Sequence, residues 1–435
     1  MEYQSLRYKF ELAVSGMRDG AASRAVAPLV GRLHLLLSYR TDWPQLNWTH
    51  EYKMQVVLPS HVGTSGGFIH QIRPHGVYDT LEITELPSCR TGRSPALTRR
   101  LRFTSPPVET IAIDSAQSLI IAAHVFCQNR IVGVQLHFRD LWTFAKHPWA
   151  PAESYEIPSQ SAAPVAHAAM SICGSKMAMS LEFVGGKINH LIMDWRTFDE
   201  DLLLVLCKKG NSLPILNLCS ISNLANMVVL RQYELPGTWN NSSIRFCPNC
   251  SPRSPSPTAL FYPDPTTRIL IIAAKPLANS SSSTSPRNWL FINESYFRAP
   301  SRRDRLAVSW SHWGQYCVVR DLSRSRTLVR GPYAIGARVV YLESESGHSH
   351  RSIGRPEPPA LNLIEFAPFP DSAVRLHPCW SSTARRLPSG TIENYGVDGI
   401  GVTEDNIILF LELQQGFRPV NILTFGAPPT RPSRR

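Results

Sequence analysis

The sequence predicts an all-β fold, an irregular β-propeller of about seven WD-like blades with a short N-terminal helical segment; six or eight blades also fit. Three observations predict it. From about Gln55 onward, apolar residues alternate with polar ones or come in short runs. Turn residues separate these runs about every ten positions. A strand pattern that ends in aspartate also recurs along the chain, as it does in propeller blades.

The first 50 residues have helical spacing instead. One apolar helix stripe consists of Leu6, Phe10, Ala13 and Met17. A second stripe runs from Val26 to Leu37, and we expect Trp43, Leu46 and Trp48 to dock both helices on the body. The predicted organisation is therefore a helical segment at 1–50, a propeller-like domain at 51–428 and a disordered basic tail at 429–435.

Short strands are expected wherever the alternation is clear. Strict alternation marks Val132, Val134, Leu136 and Phe138, and also Ile111 and Ile113 before a turn at 114–117. Later strands are expected at 203–206, 269–273, 306–310, 339–342 and 407–411.

Three aspartates mark the recurring strand pattern. Asp140, Asp194 and Asp321 each end an apolar strand and precede a large apolar residue. In a WD-type repeat, the third strand of a blade ends in this way, and the aspartate there accepts hydrogen bonds from the backbone of a tight turn. We therefore interpret these three carboxylates as structural blade turns and not as a catalytic set.

Composition limits the location and the partners. The formal net charge is +12, which attracts nucleic acid, anionic membranes or acidic protein surfaces. The chain start has no apolar signal-peptide core, and no apolar run is long enough for a membrane span. The nine cysteines are scattered and odd in number. These features predict a cytoplasmic or nuclear protein with reduced thiols and no membrane partner.

The chain start also resembles a known protein family. The segments Leu6-Arg-Tyr-Lys-Phe-Glu-Leu-Ala-Val-Ser-Gly-Met-Arg-Asp-Gly20, Arg32-Leu-His-Leu-Leu-Leu-Ser-Tyr-Arg-Thr-Asp-Trp43 and Leu46-Asn-Trp48 resemble the region after the F-box in fungal F-box proteins. The resemblance implies the substrate-recognition part of an SCF-type ubiquitin-ligase receptor. No F-box lies within this chain, so we expect Skp1 as a partner only if an F-box precedes Met1.

Candidate chemistry is sparse. Cys247 and Cys250 form the one CxxC pair, but a structural zinc site needs four ligands. His61, His70 and His75 lack metal-ligand spacing, and the glycine-rich stretch 63–67 lacks the lysine of a phosphate loop, so we expect a turn there. The sequence therefore predicts no catalytic residue, no metal site and no cofactor.

The region from Tyr296 to Arg330 is rich in arginine, with aromatic residues between the arginines. Such a patch can bind phosphates and stack bases, or attract an acidic protein. Its candidate ligand or polyanion residues are Arg298, Arg302, Arg303, Arg305, Arg324 and Arg326.

The leading functional hypothesis is a protein–protein interaction scaffold with an unknown protein ligand. One alternative is a basic propeller that binds RNA or another polyanion, which salt-titrated binding would reveal. The other is an enzyme with a site in the propeller channel, which requires polar side chains from several blades to converge there.

Overall fold

The structure is a computed structural model of the chain. It describes residues 2–22, 27–57, 61–74, 79–94, 98–103, 108–128, 131–158, 165–173, 176–183, 188–194, 202–207, 214–222, 228–240, 242–247, 249–250, 256–276, 288–298, 306–321, 327–345, 358–366, 381–387 and 396–426. The predicted tail at 429–435 lies outside these ranges, as do His75 and the five candidate arginines Arg302, Arg303, Arg305, Arg324 and Arg326.

The N-terminal segment forms a helical cap, which we define as α1 (Glu2–Val14), β1 (Met17–Asp19) and α2 (Leu29–Asp42). The helix α2 begins after Pro28, whose extended backbone occupies the N-cap position. The helix therefore starts later than the apolar stripe from Val26 suggests. The strand β2 (His50–Val57) follows the cap.

Six four-stranded blades form a ring, which confirms the predicted fold class. The first blade contains β3 (His61–Ser65), β4 (Phe68–Pro74), β5 (Asp79–Glu85) and β6 (Thr98–Phe103). The second contains β7 (Val108–Asp114), β8 (Leu119–Gln128), β9 (Ile131–Asp140) and β10 (Ser154–Pro158). A three-stranded sheet beside it contains β11 (Val165–Cys173), β12 (Lys176–Phe183) and β13 (Ile188–Asp194).

The third and fourth blades interlock. The third contains β14 (Leu202–Cys207), β15 (Ile215–Ser220), β16 (Val228–Glu234) and β21 (Ala307–Val308). The fourth contains β17 (Ser242–Cys247), β19 (Ile269–Pro276), β20 (Asn288–Asn293) and β22 (Val318–Asp321). The strand β21 pairs in parallel with β16, although it lies between β20 and β22 in the chain. The strand expected at 306–310 is therefore only two residues long, and helix α4 (Trp310–Trp313) follows it.

The last two blades close the ring. The fifth contains β23 (Thr327–Ile335), β24 (Arg338–Glu345), β25 (Ala360–Glu365) and β26 (Ser381–Arg386). The sixth contains β27 (Val397–Val402), β28 (Asn406–Leu411), β29 (Phe417–Thr424) and, as its outermost strand, β2. The remaining short elements are β18 (Phe261–Pro263), α3 (Ser295–Arg298) and the 3₁₀ turns Gly237–Trp239, Pro265–Thr267 and Gly314–Tyr316.

The alternation in the sequence determines which faces are buried. Val132, Val134, Leu136 and Phe138 on β9 are all buried, whereas Gln135 and His137 between them are partly exposed. The first strands of neighbouring sheets contact one another, from β27 to β3, β7 and β11. The first and second blades thus bury both of their faces against neighbouring sheets, which a single blade cannot do.

The cap docks on the face of the ring where the first and second strands of the blades are joined, which we call the cap face. β1 pairs with β18, and the buried Trp43 ring stacks on Phe425 with a centroid distance of 3.9 Å. Leu46 is fully buried, and Arg385 lies over the Trp48 ring at 4.2 Å. The prediction that Trp43, Leu46 and Trp48 dock the helices is confirmed.

Candidate interaction site

A cluster of buried charges lies beneath the cap. Arg90, from the loop between β5 and β6, reaches the turn between β27 and β28. Its Nε and Nη2 donate to Asp405 Oδ1 and Oδ2, both at 3.1 Å, and Nη2 also pairs with Glu404. Its Nη1 donates to the Phe261 carbonyl at 2.8 Å. Only 3% of the Arg90 side chain is exposed, so the first and sixth blades are joined by a fully bonded guanidinium.

The electrostatics of this cluster follow from its burial. Burial raises the pKa of Glu404, although Arg90 opposes the shift. Burial alone would lower the pKa of Arg90, but Asp405 and Glu404 raise it above its usual value. The Tyr39 hydroxyl of α2 donates to the Glu404 carbonyl at 2.5 Å, and burial raises the pKa of this phenol. Burial therefore makes Glu404 easier to protonate than a glutamate in water.

The cavity at this cluster is small. It holds about 20 Å³ for a solvent molecule, which is room for about one water. Side chains from several blades do converge here, as the channel-enzyme alternative requires. Arg90, Glu404 and Asp405 bond to one another, which favours a stabilising role for this cluster.

Asp140 lies at the end of β9, the third strand of the second blade. Its carboxylate accepts hydrogen bonds from the backbone N–H groups of Trp142 and Thr143, at 2.9 and 2.7 Å, and from the Thr143 hydroxyl at 2.9 Å. Partial burial raises the pKa of Asp140, but the hydrogen bonds from Thr143 and Trp142 outweigh it and lower the pKa overall. The aspartate thus holds the turn that displays Trp142.

The other two aspartates differ from Asp140 in what the structure shows. Asp194 ends β13, the third strand of its sheet, but its side chain lies outside the described side chains. Asp321 ends β22, the outermost strand of the fourth blade. The predicted equivalence of Asp321 with Asp140 is therefore wrong, because the third strand of that blade is β20.

A fixed and exposed tryptophan follows the Asp140 turn. Trp142 Nε1 donates to Ser118 Oγ at 3.1 Å, and the Arg99 guanidinium lies 4.5 Å from the Trp142 ring centroid. Arg99 Nη1 also donates to the Trp142 carbonyl at 3.0 Å, and Phe68 meets the indole edge-on at 6.0 Å. The side chain of Trp142 is nevertheless 42% exposed, so a large apolar surface is held in one orientation and faces solvent.

A second exposed tryptophan lies in the same loop, residues 141–153, which we call the tryptophan loop. Trp149 is 56% exposed, and its ring lies 5.5 Å from the ring of the buried His147. His147 Nε2 lies 2.9 Å from the Gln117 carbonyl in the turn between β7 and β8. The alternation and turn patterns do not mark this loop, and its one signal in the sequence is the pair of tryptophans within nine positions after Asp140.

The described part of the arginine-rich region is tied into the fold. Arg298 pairs with Glu294 at 3.1 Å, Arg320 lies over the Tyr341 ring at 5.0 Å, and Arg330 pairs with Asp398 at 3.4 Å. Of the interleaved aromatics, Phe297 and Trp313 are buried, and Tyr296 and Trp310 are half-buried in the same cluster. Arg302, Arg303, Arg305, Arg324 and Arg326 lie outside the described residues. The described aromatics therefore do not offer the exposed stacking surface on which base binding depends.

The remaining candidates have structural explanations. Burial raises the pKa of both Cys247 and Cys250 to about 12, so neither thiol is a ready nucleophile. Within the described residues, no three histidine, cysteine, aspartate or glutamate side chains are grouped to hold a metal ion. Gly66 and Gly67 form the turn between β3 and β4 with positive φ, as expected for the glycine-rich stretch.

Comparisons with known proteins add similarity of shape alone. No family model and no curated protein matches the chain. Among solved structures, the WD40 domain of SCAP from fission yeast is 8% identical, with a TM-score of 0.37, over 86% of this chain and 98% of that one. Pyrococcus horikoshii acylaminoacyl peptidase is 11% identical, with a TM-score of 0.32, over 82% and 49%. The tricorn protease is 7% identical, with a TM-score of 0.37, over 82% and 33%.

None of the described helices has the length and the apolar content needed to cross a membrane.

Proposed function

We propose that the chain is a protein-binding scaffold that contacts its protein ligand through the tryptophan loop and Arg99. The observation that carries the proposal is the exposed Trp142 side chain, held by Ser118 and stacked beneath Arg99. Through the family resemblance, we further propose that this scaffold is the substrate-recognition part of an SCF-type ubiquitin-ligase receptor.

The chemistry of the loop supports protein binding. Tryptophan and arginine dominate the binding energy of protein interfaces, and a side chain that is already held in place loses little conformational entropy on binding. Trp142 and Trp149 belong to one loop, and both its halves are bonded to the turn between β7 and β8. A non-enzymatic role is part of the proposal, since the converging polar groups beneath the cap bond to one another.

Site-specific photo-crosslinking tests the proposal. A benzoylphenylalanine in place of the exposed Ala145 should form adducts with the same protein in repeated cell lysates. The adducts should disappear in Trp142→Ala and Arg99→Ala variants that fold normally. The matched control places the crosslinker at Leu413, an exposed position between β28 and β29. Identical adducts from both positions, or adducts that survive Trp142→Ala, would defeat the proposal.

The ligase part of the proposal has a separate test. If the chain is a substrate receptor, the protein captured at position 145 should be ubiquitinated in cells, and its lifetime should lengthen when the chain is depleted. If depletion of the chain changes neither the ubiquitination nor the lifetime of the captured protein, the ligase role is wrong, whereas the scaffold proposal still stands.

The polyanion alternative stays a prediction, because most of the arginine patch lies outside the described residues. RNA binding that persists near physiological salt would favour it, and its loss there would remove it.

A further inference from the structure

The helix α1 has two different apolar faces. Tyr8 and Leu12 are buried against the body. Tyr3, Leu6 and Phe10 are 76%, 70% and 63% exposed. At 100° per residue, these three side chains lie together on the side of the helix opposite Tyr8. The stripe of Leu6 and Phe10 that the sequence shows is therefore an outward face, which we call the outer stripe (Tyr3, Leu6, Phe10).

The outer stripe is held rigidly in position. The Tyr8 hydroxyl donates to Asp19 Oδ1 at 3.0 Å and lies 3.3 Å from the Leu260 carbonyl. Glu11 pairs with Arg40 of α2. Because these contacts all lie on the inner side of α1, they fix the helix without covering its outer side.

Basic residues flank the outer stripe on both sides. On a helical projection, Arg7 lies about 70° to one side of the centre of the stripe and Lys9 about 90° to the other. Both side chains are exposed, and neither forms an ion pair with a described residue. The acidic Glu11 is already paired with Arg40. Glu2 lies on the same flank as Lys9, but in the first turn of α1, about two turns away from it. The middle of the outer stripe is thus apolar and lies between the exposed side chains of Arg7 and Lys9, which form no ion pair within the described part of the chain.

We propose that the outer stripe binds an amphipathic helix of a partner protein, with acidic residues beside its apolar face. Tyr3, Leu6 and Phe10 have the i, i+3, i+7 spacing that packs against such a helix over two turns. The acidic residues of the partner would pair with Arg7 and Lys9. This interface is separate from the tryptophan loop and does not depend on the function proposed for it.

Two other occupants fit the charges less well. A second copy of this chain would bring its own Arg7 and Lys9 to the same interface, because a two-fold contact uses the same surface twice. A membrane surface usually engages a longer amphipathic helix with a larger basic face, and each cation adds only about 1 kcal/mol of attraction. A stripe of two turns with two cations is suited to one helix.

Binding of designed peptides to the full chain tests the proposal. The probe is a fluorescent helical peptide of about 20 residues, long enough to hold its helix, with leucines at i, i+3, i+4 and i+7 and glutamates beside them. A twin peptide carries lysines in place of the glutamates. Fluorescence anisotropy should show at least tenfold tighter binding of the glutamate peptide. Leu6→Ser with Phe10→Ser should abolish that binding, whereas the control Leu413→Ser should not.

A charge-reversed variant separates charge from fold. Arg7→Glu with Lys9→Glu should reverse the preference, so that the lysine peptide binds more tightly, while the thermal midpoint stays unchanged. Equal binding of the two peptides, or binding that survives Leu6→Ser with Phe10→Ser, would overturn the proposal. Tighter binding of vesicles with anionic lipid, or a dimer that dissociates in Phe10→Ser, would also overturn it.

Discussion

Arg90, in the loop after β5, and Arg99, near the start of β6, are nine residues apart in the first blade, and the protein uses them in opposite ways. Arg90 is buried beneath the cap and bonds to two carboxylates and a carbonyl. Arg99 lies at the surface and stacks on an exposed tryptophan. The buried Arg90 holds two blades together through its hydrogen bonds. Arg99 instead holds the exposed Trp142 ring in a fixed position, where another molecule can bind.

The largest effect is expected at Arg90. Arg90→Ala leaves Glu404 and Asp405 buried without their cation, so the free energy of unfolding should fall by about 3–5 kcal/mol, measured by urea denaturation. Adding Glu404→Gln and Asp405→Asn to Arg90→Met should restore part of this loss, because the stranded charges are then removed. A loss under about 1 kcal/mol for Arg90→Ala would contradict the importance of the cluster.

The next largest effect is the pH dependence of stability that the buried His70 causes. Burial lowers the pKa of His70 to about 4, from an ordinary 6.5. The unfolded chain therefore binds a proton more readily, and the stability present above pH 6.5 declines as the pH falls toward 4. Between pH 7 and 5 this costs about 2 kcal/mol. The pH dependence of unfolding should flatten by that amount in His70→Gln; an unchanged slope would show that His70 is not the cause.

Two glycines near Arg90 separate backbone strain from crowding. Gly67 and Gly92 both have positive φ, but a Cβ at Gly67 would lie 2.2 Å from the Arg93 guanidinium, whereas nothing lies within 4 Å of one at Gly92. Gly92→Ala should cost about 1 kcal/mol and Gly67→Ala about 1–2 kcal/mol more. Thermal unfolding compares them directly, and equal losses would mean that Arg93 simply moves aside.

The smallest effect on stability is expected at the tryptophan loop. Trp142→Ala and Arg99→Ala should each change the free energy of unfolding by about 1 kcal/mol or less, because an exposed cation–π contact is weak. Both should abolish crosslinking from position 145. A large loss of stability with unchanged crosslinking would show that Arg99 and Trp142 form a structural contact. Arg99 would then stabilise the fold, as Arg90 does, and would not form a binding surface.

The fold was predictable because alternation reports burial directly. The strict alternation on β9 and the turn at 114–117 both match the structure. The order of strands within a blade was less predictable. Between β20 and β22 of the fourth blade, the chain contains an insertion whose strand β21 pairs with the third blade. Asp321 follows this insertion and therefore ends the fourth strand of the blade and not the third.

The true third-strand positions were missed for a chemical reason. In the fourth blade a glutamate directly follows the third strand, and in the fifth blade a glutamate is the last residue of the third strand. Each pairs with an arginine near the start of the second strand of its blade. Glu294 meets Arg268 at 3.0 Å, and Glu365 meets Arg338 at 2.6 Å. The longer side chain reaches a neighbouring strand instead of its own turn, so a pattern built on aspartate cannot detect it.

The interaction site was not predictable from the sequence. The Arg99 guanidinium lies 4.5 Å from the centroid of the Trp142 ring, but the two residues come from different blades. Their meeting depends on how the second blade packs against the first. Similarly, the spacing of Leu6 and Phe10 predicts a helix stripe, but only the position of α1 on the body shows that this stripe faces outward.

The pairing of β2 with β29 has a consequence for how the protein is made. Thr49 and Thr424 hydrogen-bond to each other although they lie 375 positions apart. Contacts between such distant segments slow folding, because a long loop must close before they form. On the ribosome, β2 and β28 both lack their shared partner β29 until residues 417–424 emerge, and during that time β2 has an unpaired edge that can pair with other chains. Once β29 is synthesised and pairs with β2, that edge of β2 is no longer open to pairing with another chain.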